Sequence, residues 1–341
     1  MAEQSGTVTN LVTDIPIQLA LVAPWASTSD GLVTPEGRIM STATLLVFAM
    51  LLDAVFGEPK WLWNRLPHPA VLMGNLIKWC DTQYNHGTNA KRNGILTLIA
   101  LVLGAALLGY LISLLGGIIT IIITAILLAQ KSLVQHVQAV AYGLRMSLSE
   151  GRQQVAMIVG RDTAQMDQTA IARGAIESGA ENLSDGVIAP LFWFFIGGLP
   201  GLMVYKIVNT ADSMIGYKTA RHKDFGWASA RFDDLLNLIP ARITAALIAV
   251  PAGVQNHWRD IVADAGLHRS PNAGWPEAAM ARAINVALSG PRAYEGSMQE
   301  FPLVHKHGAL TAGPTDIDAA CAVLWKAWGC GLFLTIILAI L

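Results

Sequence analysis

From Gly94 to Gln130 the chain carries no charged residue. A helix needs about 20 apolar residues to cross the hydrocarbon core of a bilayer, and this run is nearly twice as long. Backbone N–H and C=O groups left unpaired in lipid are costly, so such a run is confined to helix. Gly116 and Gly117 lie near its middle, and two readings fit: two short helices turning at the glycine pair, or one long tilted helix. The rest of the chain agrees with a membrane setting. Of 341 residues, 53% are hydrophobic and 14% charged, against about 25% charged in a soluble domain, and the mean hydropathy is +0.46.

Further apolar stretches cover 41–56, 95–115, 117–134, 187–205 and 319–341. A weaker one, 235–254, contains Pro240, Arg242 and Pro251. The stretch 187–205 holds Pro190, Gly197-Gly198 and Pro200 and reads as a broken or re-entrant helix, allowed where protein or water covers the freed backbone. The expected fold is all-α: a polytopic integral membrane protein with about four to six embedded helices, some re-entrant, joined by large polar helices and loops. Leu133, Val137, Val140, Leu144 and Leu148 recur at helical spacing, and Asp162-Thr163 predicts the start of a further helix. Region 255–318, rich in Gly, Pro, His and Arg, reads as loops with short helices. No strand alternation and no fixed repeat stand out.

Residues 40–341 read as a single membrane-embedded domain. Met40 directly precedes the first apolar segment and is expected to be the true or an alternative start, with 1–39 a poorly ordered extension. A signal peptide is not expected there, because residues 1–40 lack a basic n-region and a clean apolar core. The net charge of −1 gives no field to attract nucleic acid. Cys80, Cys321 and Cys330 show no metal spacing and no disulfide framework. Lys and Arg occur in every polar connection, so loop charge does not orient the chain.

Four clusters carry chemistry. In the first, Glu177, Glu181 and Asp185 recur at i, i+4 and i+8, with Asn182 between them. Like charges at that spacing repel, so the stripe calls for a cation, and hard oxygen donors suit Mg²⁺; the bland alternative is a solvated helix face. In the second, Lys206, Asn209 and Asp212 share a stripe able to hold phosphate and metal together, with Lys218 a further cation; the alternative is an amphipathic juxtamembrane helix. In the third, Arg231, Asp233 and Asp234 sit together. Adjacent aspartates point to different sides of a helix, so one is free for chemistry while the other pairs with Arg231. The fourth, 268–277, packs turn residues around Arg269, Asn272, Trp275 and Glu277. Arg269 suits bidentate phosphate contact, and Trp275 can stack on a ring. No P-loop, Ser-His-Asp order or H-E-x-x-H occurs.

The stretches GRDTAQMD, ESGAENLSDGVIAPLFW, KIVNTADSMIGYK, FGWASARFDDLLNLIPAR and HRSPNAGWPEAAMA resemble the signature segments of the CbiB/CobD family of adenosylcobinamide-phosphate synthases. LLDAVFGEPKWLWNRLPHPAVLMGNLI resembles that family's opening, and the likeness runs from about Met40 to the C-terminus. The resemblance implies cobalamin biosynthesis: ATP- and Mg²⁺-dependent amide ligation of (R)-1-amino-2-propanol O-phosphate, or a related amino alcohol, to the free propionate of adenosylcobyric acid. It implies a multi-pass protein of the bacterial inner membrane, with the lipid bilayer and other membrane-bound cobamide-assembly enzymes as candidate partners. The site is expected on the cytoplasmic face, where ATP is found.

Combined with this chemistry, the clusters give a set of expected roles. Glu177, Glu181, Asp185 and Asp212 are assigned to the metal. Lys206, Arg161 and Arg269 neutralise phosphate oxygens. Asp233 or Glu277 takes the proton of the incoming amine. Asn182, Asn209 and Asn272 orient substrate, with Lys218, Arg231 and Trp275 beside them. The rival readings are a membrane transporter and a non-catalytic membrane relative of the family.

Overall fold

The computed structural model describes residues 40–294 and 297–341; the expected extension, 1–39, lies outside the described residues. Among the described residues the chain is mostly helical, with almost no sheet. Four helical stretches are long and apolar enough to cross a membrane: Ala90–Ser113, Gly117–Met146, Gln168–Ile215 and Pro314–Ile340. The protein is therefore an all-α polytopic membrane protein.

The N-terminal part comprises α1 (Thr42–Phe56), the short α2 (Lys60–Trp63) and α3 (Pro69–Tyr84). The long uncharged run divides at the glycine pair: α4 (Ala90–Ser113) ends before it and α5 (Gly117–Leu127) begins with it. A second break separates α5 from α6 (Gln130–Met146). There the buried Asp53 carboxylate accepts the backbone N–H of Gln130 at 2.9 Å. This capping bond explains why a charge is tolerated at the end of an apolar helix. The buried stripe of α6 is Val134, Val137, Val140, Ala141 and Leu144. Leu148, expected to continue it, does not: Ser147 leaves the helix and its hydroxyl caps the N–H of Glu150 in α7 (Leu148–Ala156).

The helix expected to start near Asp162-Thr163 is α8 (Gln168–Leu183), and its start is corrected to Asp167, whose carboxylate accepts the N–H of Ala170 at 2.7 Å. α8 runs through a π-helical turn, Ser184–Ile188, into α9 (Ala189–Ile215). α9 is broken where the sequence suggests: Gly197 is non-helical and Gly198 takes φ +58, a left-handed conformation open to glycine at little cost. The weak apolar segment is the latter part of α10 (Trp227–Ala249), which keeps Pro240 inside it and ends before Pro251.

α11 (Trp258–Ala265) and α12 (Gly274–Ala283) follow. Two very short antiparallel pairs, β1 (Leu288–Ser289) with β4 (Leu303–Val304) and β2 (Arg292–Tyr294) with β3 (Ser297–Gln299), then lead to α13 (Pro314–Ile340). These pairs correct the expectation of no strand. Segments of two or three residues are too short to show alternation.

Buried α8 and α9 form the centre. α6 and α13 pack against α8, α4 and α10 against α9, and α12 against α8 and α10. This arrangement brings the π turn, the far half of α9, the start of α10 and the 268–292 region to one end of the bundle.

Candidate active site

The first group of side chains is acidic. Asn209, on the second half of α9, points its amide between two helices. Its Nδ2 donates to Asp185 Oδ2 at 3.3 Å and to Asp233 Oδ1 at 3.2 Å. Asp185 sits in the π turn, where the wider winding re-aims its side chain relative to an unbroken α-helix; such turns recur at functional sites. Asp233 is buried on α10, and its Oδ2 accepts from Asn237 at 3.0 Å. Tyr205 in turn donates to Asn237 Oδ1 at 3.0 Å. Glu181 and Asp212 lie within electrostatic reach of Asp185, and Lys206 also faces Asp185, with Glu58 beside it. None of Glu181, Asp185, Asp212 and Asp233 forms an ion pair among the described residues. Burial, with the charge of Asp212, pushes the Asp233 carboxyl up to about 7.

The second group is neutralised internally. Glu177, expected among the metal ligands, is buried and fully engaged. Its Oε2 accepts from Arg161 at 2.9 Å and lies 3.1 Å from Arg292, while its Oε1 accepts the backbone N–H of Ser289 at 2.7 Å. Arg161 reaches it across Gly174, where a Cβ would come within 2.7 Å of the guanidinium. Beside this clamp, buried Glu277 faces His268, whose Nε2 lies 3.6 Å from its Oε1, and Glu277 Oε2 has no hydrogen-bond partner among the described residues. Burial and the carboxylates of Glu177 and Glu181 hold the Glu277 carboxyl well above the usual glutamate range.

The other expected residues divide between these groups and their supports. Asn182 is exposed and its amide donates to Ser178 O at 2.9 Å. Arg231 pairs at the surface with Asp234 at 3.8 Å, leaving Asp233 to the acidic group. Lys218 is exposed, near Asp234. Asn272 is buried and ties its loop to α10, donating to Asp234 O at 2.8 Å and accepting from Arg242 at 3.2 Å. Trp275 stacks under the Arg242 guanidinium, 4.5 Å away. Arg269 is exposed at the mouth of a cleft lined by His268, Ser289, Arg292 and Phe301.

Residues 46–324 match the family model described as CobD/Cbib protein. The chain belongs to the CobD/CbiB family. Among relatives of this CobD/CbiB chain, the "Cobalamin biosynthesis protein CobD" of Rhizobium meliloti (strain 1021) is 47% identical over 302 residues, 83% of this chain and 92% of the relative. The protein of the same name from Brucella suis biovar 1 (strain 1330) is 46% identical over the same shares. One from Rhodobacter capsulatus, also of that name, is 42% identical over 84% of this chain and 94% of its own length. No solved structure matches the CobD/CbiB chain.

Sequence reasoning passed over Arg292, Ser289, Asn237 and Tyr205. Tyr205 and Asn237 lie in the apolar stretches 187–205 and 235–254, where nothing in the sequence singles them out. Arg292 follows Gly290-Pro291 in a region read as loop, and only the long-range contact with Glu177 marks it.

Proposed function

We propose that the chain serves cobalamin biosynthesis as an amide-forming ligase. It would join an amino-alcohol phosphate to the free propionate of adenosylcobyric acid at the expense of ATP. The observation that carries the reading is the gathering of Glu181, Asp185, Asp212 and Asp233 without a neutralising ion pair, next to Lys206, in a chain whose relatives are named for cobalamin biosynthesis.

The donor set fits Mg²⁺. It consists of hard carboxylate oxygens, and four clustered negative charges call for a cation. No three acidic, His or Cys side chains among the described residues converge closely enough to cage an ion unaided. Mg²⁺ would therefore be held by one or two of these carboxylates and complete its shell with waters and substrate phosphates. Asp185 would hold it, with Glu181 and Asp212 alongside. Bound there, it would neutralise charge on the phosphates of ATP.

In the reaction, a propionate oxygen takes the terminal phosphoryl group of ATP and ADP leaves. The amine nitrogen then attacks the acyl carbon, the C–O bond to phosphate breaks, and the surplus proton on nitrogen is given up. Phosphoryl transfer depends mainly on positioning and charge neutralisation, and Lys206, facing Asp185 from one turn before Asn209, is the cation for the nucleotide phosphates. Asp233 would take the proton: its value of about 7 lies near the operating pH, where a general base is most effective. Asn209 fixes its orientation against Asp185. Glu277, its carboxyl raised by burial and by Glu177 and Glu181, would instead donate a hydrogen bond in its protonated form.

A transporter reading draws on the break in α9, a feature of many transporters. Residues 189–205 around that break carry no charge, which weighs against an ion or substrate path there. The test is direct. Purified full-length chain is incubated with adenosylcobyric acid, ATP, Mg²⁺ and each candidate amine, and products are read by mass spectrometry. Amide product with stoichiometric ADP is expected; substrate movement across proteoliposomes without ATP turnover would favour transport instead.

A further inference from the structure

The connection between α9 and α10 meets the start of α4 at the edge of the bundle. Asn85 donates to the Arg221 carbonyl at 3.1 Å, and the Arg221 guanidinium reaches Asp81 at 2.6 Å. Gly94 leaves no room for a Cβ against the Phe225 carbonyl, so α4 and this connection touch backbone to backbone. The Lys91 ammonium lies 4.1 Å from the centre of the Trp227 ring.

This juncture is cationic. Residues 85–93 and 216–227 carry Lys91, Arg92, Lys218, Arg221 and Lys223 against a single acid, Asp224. Arg221 is answered by Asp81, and Lys218 lies within electrostatic reach of Asp234. Lys91, Arg92 and Lys223 are exposed and form no ion pair among the described residues.

The cations stand where an apolar surface begins. α4 starts across the membrane from here, and only 11% of its most apolar stretch is buried, so most of that surface meets lipid. A groove of about 410 Å³ runs over its first turns. It is lined by Thr88, Asn89, Lys91 and Arg92 and, a turn further along, by Ile95 and Leu96. Trp79, Tyr84 and Trp227 are exposed nearby, and such amphipathic rings collect at the headgroup level of a bilayer. The N-terminus of α4 has no side-chain cap, which leaves its first N–H groups to an outside acceptor.

We propose that this groove seats the phosphodiester of an anionic phospholipid. Lys91 and Arg92 hold the phosphate, Lys223 adds to the positive field from the facing connection, and the upper acyl chain lies along Ile95 and Leu96. A free phosphate would match the cations but leave the apolar floor unused, whereas a lipid uses both. The site does not depend on the ligase reading. It bears on the acidic group all the same, because the connection it braces joins α9, with Asp212, to α10, with Asp233.

The test uses full-length protein in a neutral detergent, titrated with short-chain phosphatidylglycerol or phosphatidylcholine and read by native mass spectrometry. Wild type is expected to prefer phosphatidylglycerol. Arg92→Gln and Lys223→Gln should each weaken its binding roughly fivefold, the worth of one basic side chain at an anionic membrane surface, and the double variant about 25-fold. Phosphatidylcholine binding should stay within about twofold throughout. Both residues are exposed, so the variants are expected to fold, and Arg92→Lys, which keeps the cation, should bind as wild type does. Arg259→Gln, on α11 and outside the juncture, should change nothing. A double variant that binds phosphatidylglycerol as wild type does would overturn the assignment, as would a wild type without preference between the two lipids. An equal loss in Arg259→Gln would overturn it too, by tracing the preference to overall charge. Displacement of phosphatidylglycerol by a similar concentration of inorganic phosphate would give the groove to a free anion instead.

Discussion

Two carboxylate-rich groups lie side by side at one end of the helical bundle, and they are built on opposite principles. Around Glu177 every charge is answered: two arginines and a backbone N–H meet one carboxylate. Around Asp185 no carboxylate is met by an ion pair among the described residues: the side chains of Asp185 and Asp233 accept from the Asn209 and Asn237 amides, and Lys206 acts on Asp185 only through space. A buried ion pair contributes little net stability when intact but leaves an isolated charge when one partner is lost. A set of unpaired acids lowers stability by repulsion and persists where something outside the chain neutralises it. The first group should therefore behave as structure and the second as function.

The largest expected effect tests the functional half. Asp185→Asn should abolish amide formation, a loss of about 10²-fold or more for a preorganised electrostatic contact, while the thermal midpoint in detergent stays level or rises because repulsion is relieved. A variant that instead unfolds would erase the distinction. Next comes Glu177→Gln, which leaves two arginines facing a neutral amide. It should cost about 3–5 kcal/mol of stability, read as a marked drop in thermal midpoint, and a midpoint equal to wild type would show that the clamp is not structural.

A subtler effect concerns pH. If Asp233 with its value near 7 accepts the proton, only its ionised form works, so the rate of amide formation should fall as pH drops below about 7. Asp233→Asn should remove that limb along with most of the rate; a limb that survives in the residual activity would assign the base elsewhere. The smallest effect is at Asp81, a buried carboxylate at the edge of the bundle whose partner Arg221 is mostly exposed. Burial raises this carboxyl, but hydrogen bonds from Arg221 and Asn85 outweigh it and leave it below the ordinary 3.8. Its contribution is therefore full above that value and is lost as pH falls through the lower folded value. Arg221 is mostly exposed, so Asp81→Asn should cost only about 0.5–1 kcal/mol in denaturant or thermal unfolding at neutral pH.

Much of the fold was legible because lipid leaves the backbone few options. An uncharged run must be helix, and Gly116-Gly117 and Gly197-Gly198 marked breaks that the structure contains. Local competition was less visible. Ser147 ends one helix and caps the next, cutting off Leu148, and Asp167 outcompetes Asp162 as a cap through a hydrogen bond that spacing alone does not rank. The candidate site was legible as residue types and as segments, since acids, amides and arginines beside apolar runs stand out. How they divide was not. Glu177 and Asp185 sit eight residues apart on what reads as one stripe. The π turn and the arrival of Arg292, more than a hundred residues later, separate them into a neutralised group and an open one. Asn272 and Trp275 likewise read as substrate contacts, but they brace their loop against α10 and Arg242.

The central claim is that the open acids bind a divalent ion together with nucleotide. Mn²⁺ titration of the purified full-length chain, followed by electron paramagnetic resonance with and without ATP, tests it most directly. The account predicts one tightly held Mn²⁺ whose affinity rises with ATP and is lost in Asp185→Asn but kept in Arg269→Ala. Folded wild-type protein that leaves Mn²⁺ free in the presence of ATP, or an Asp185→Asn variant that binds it unchanged, would contradict it.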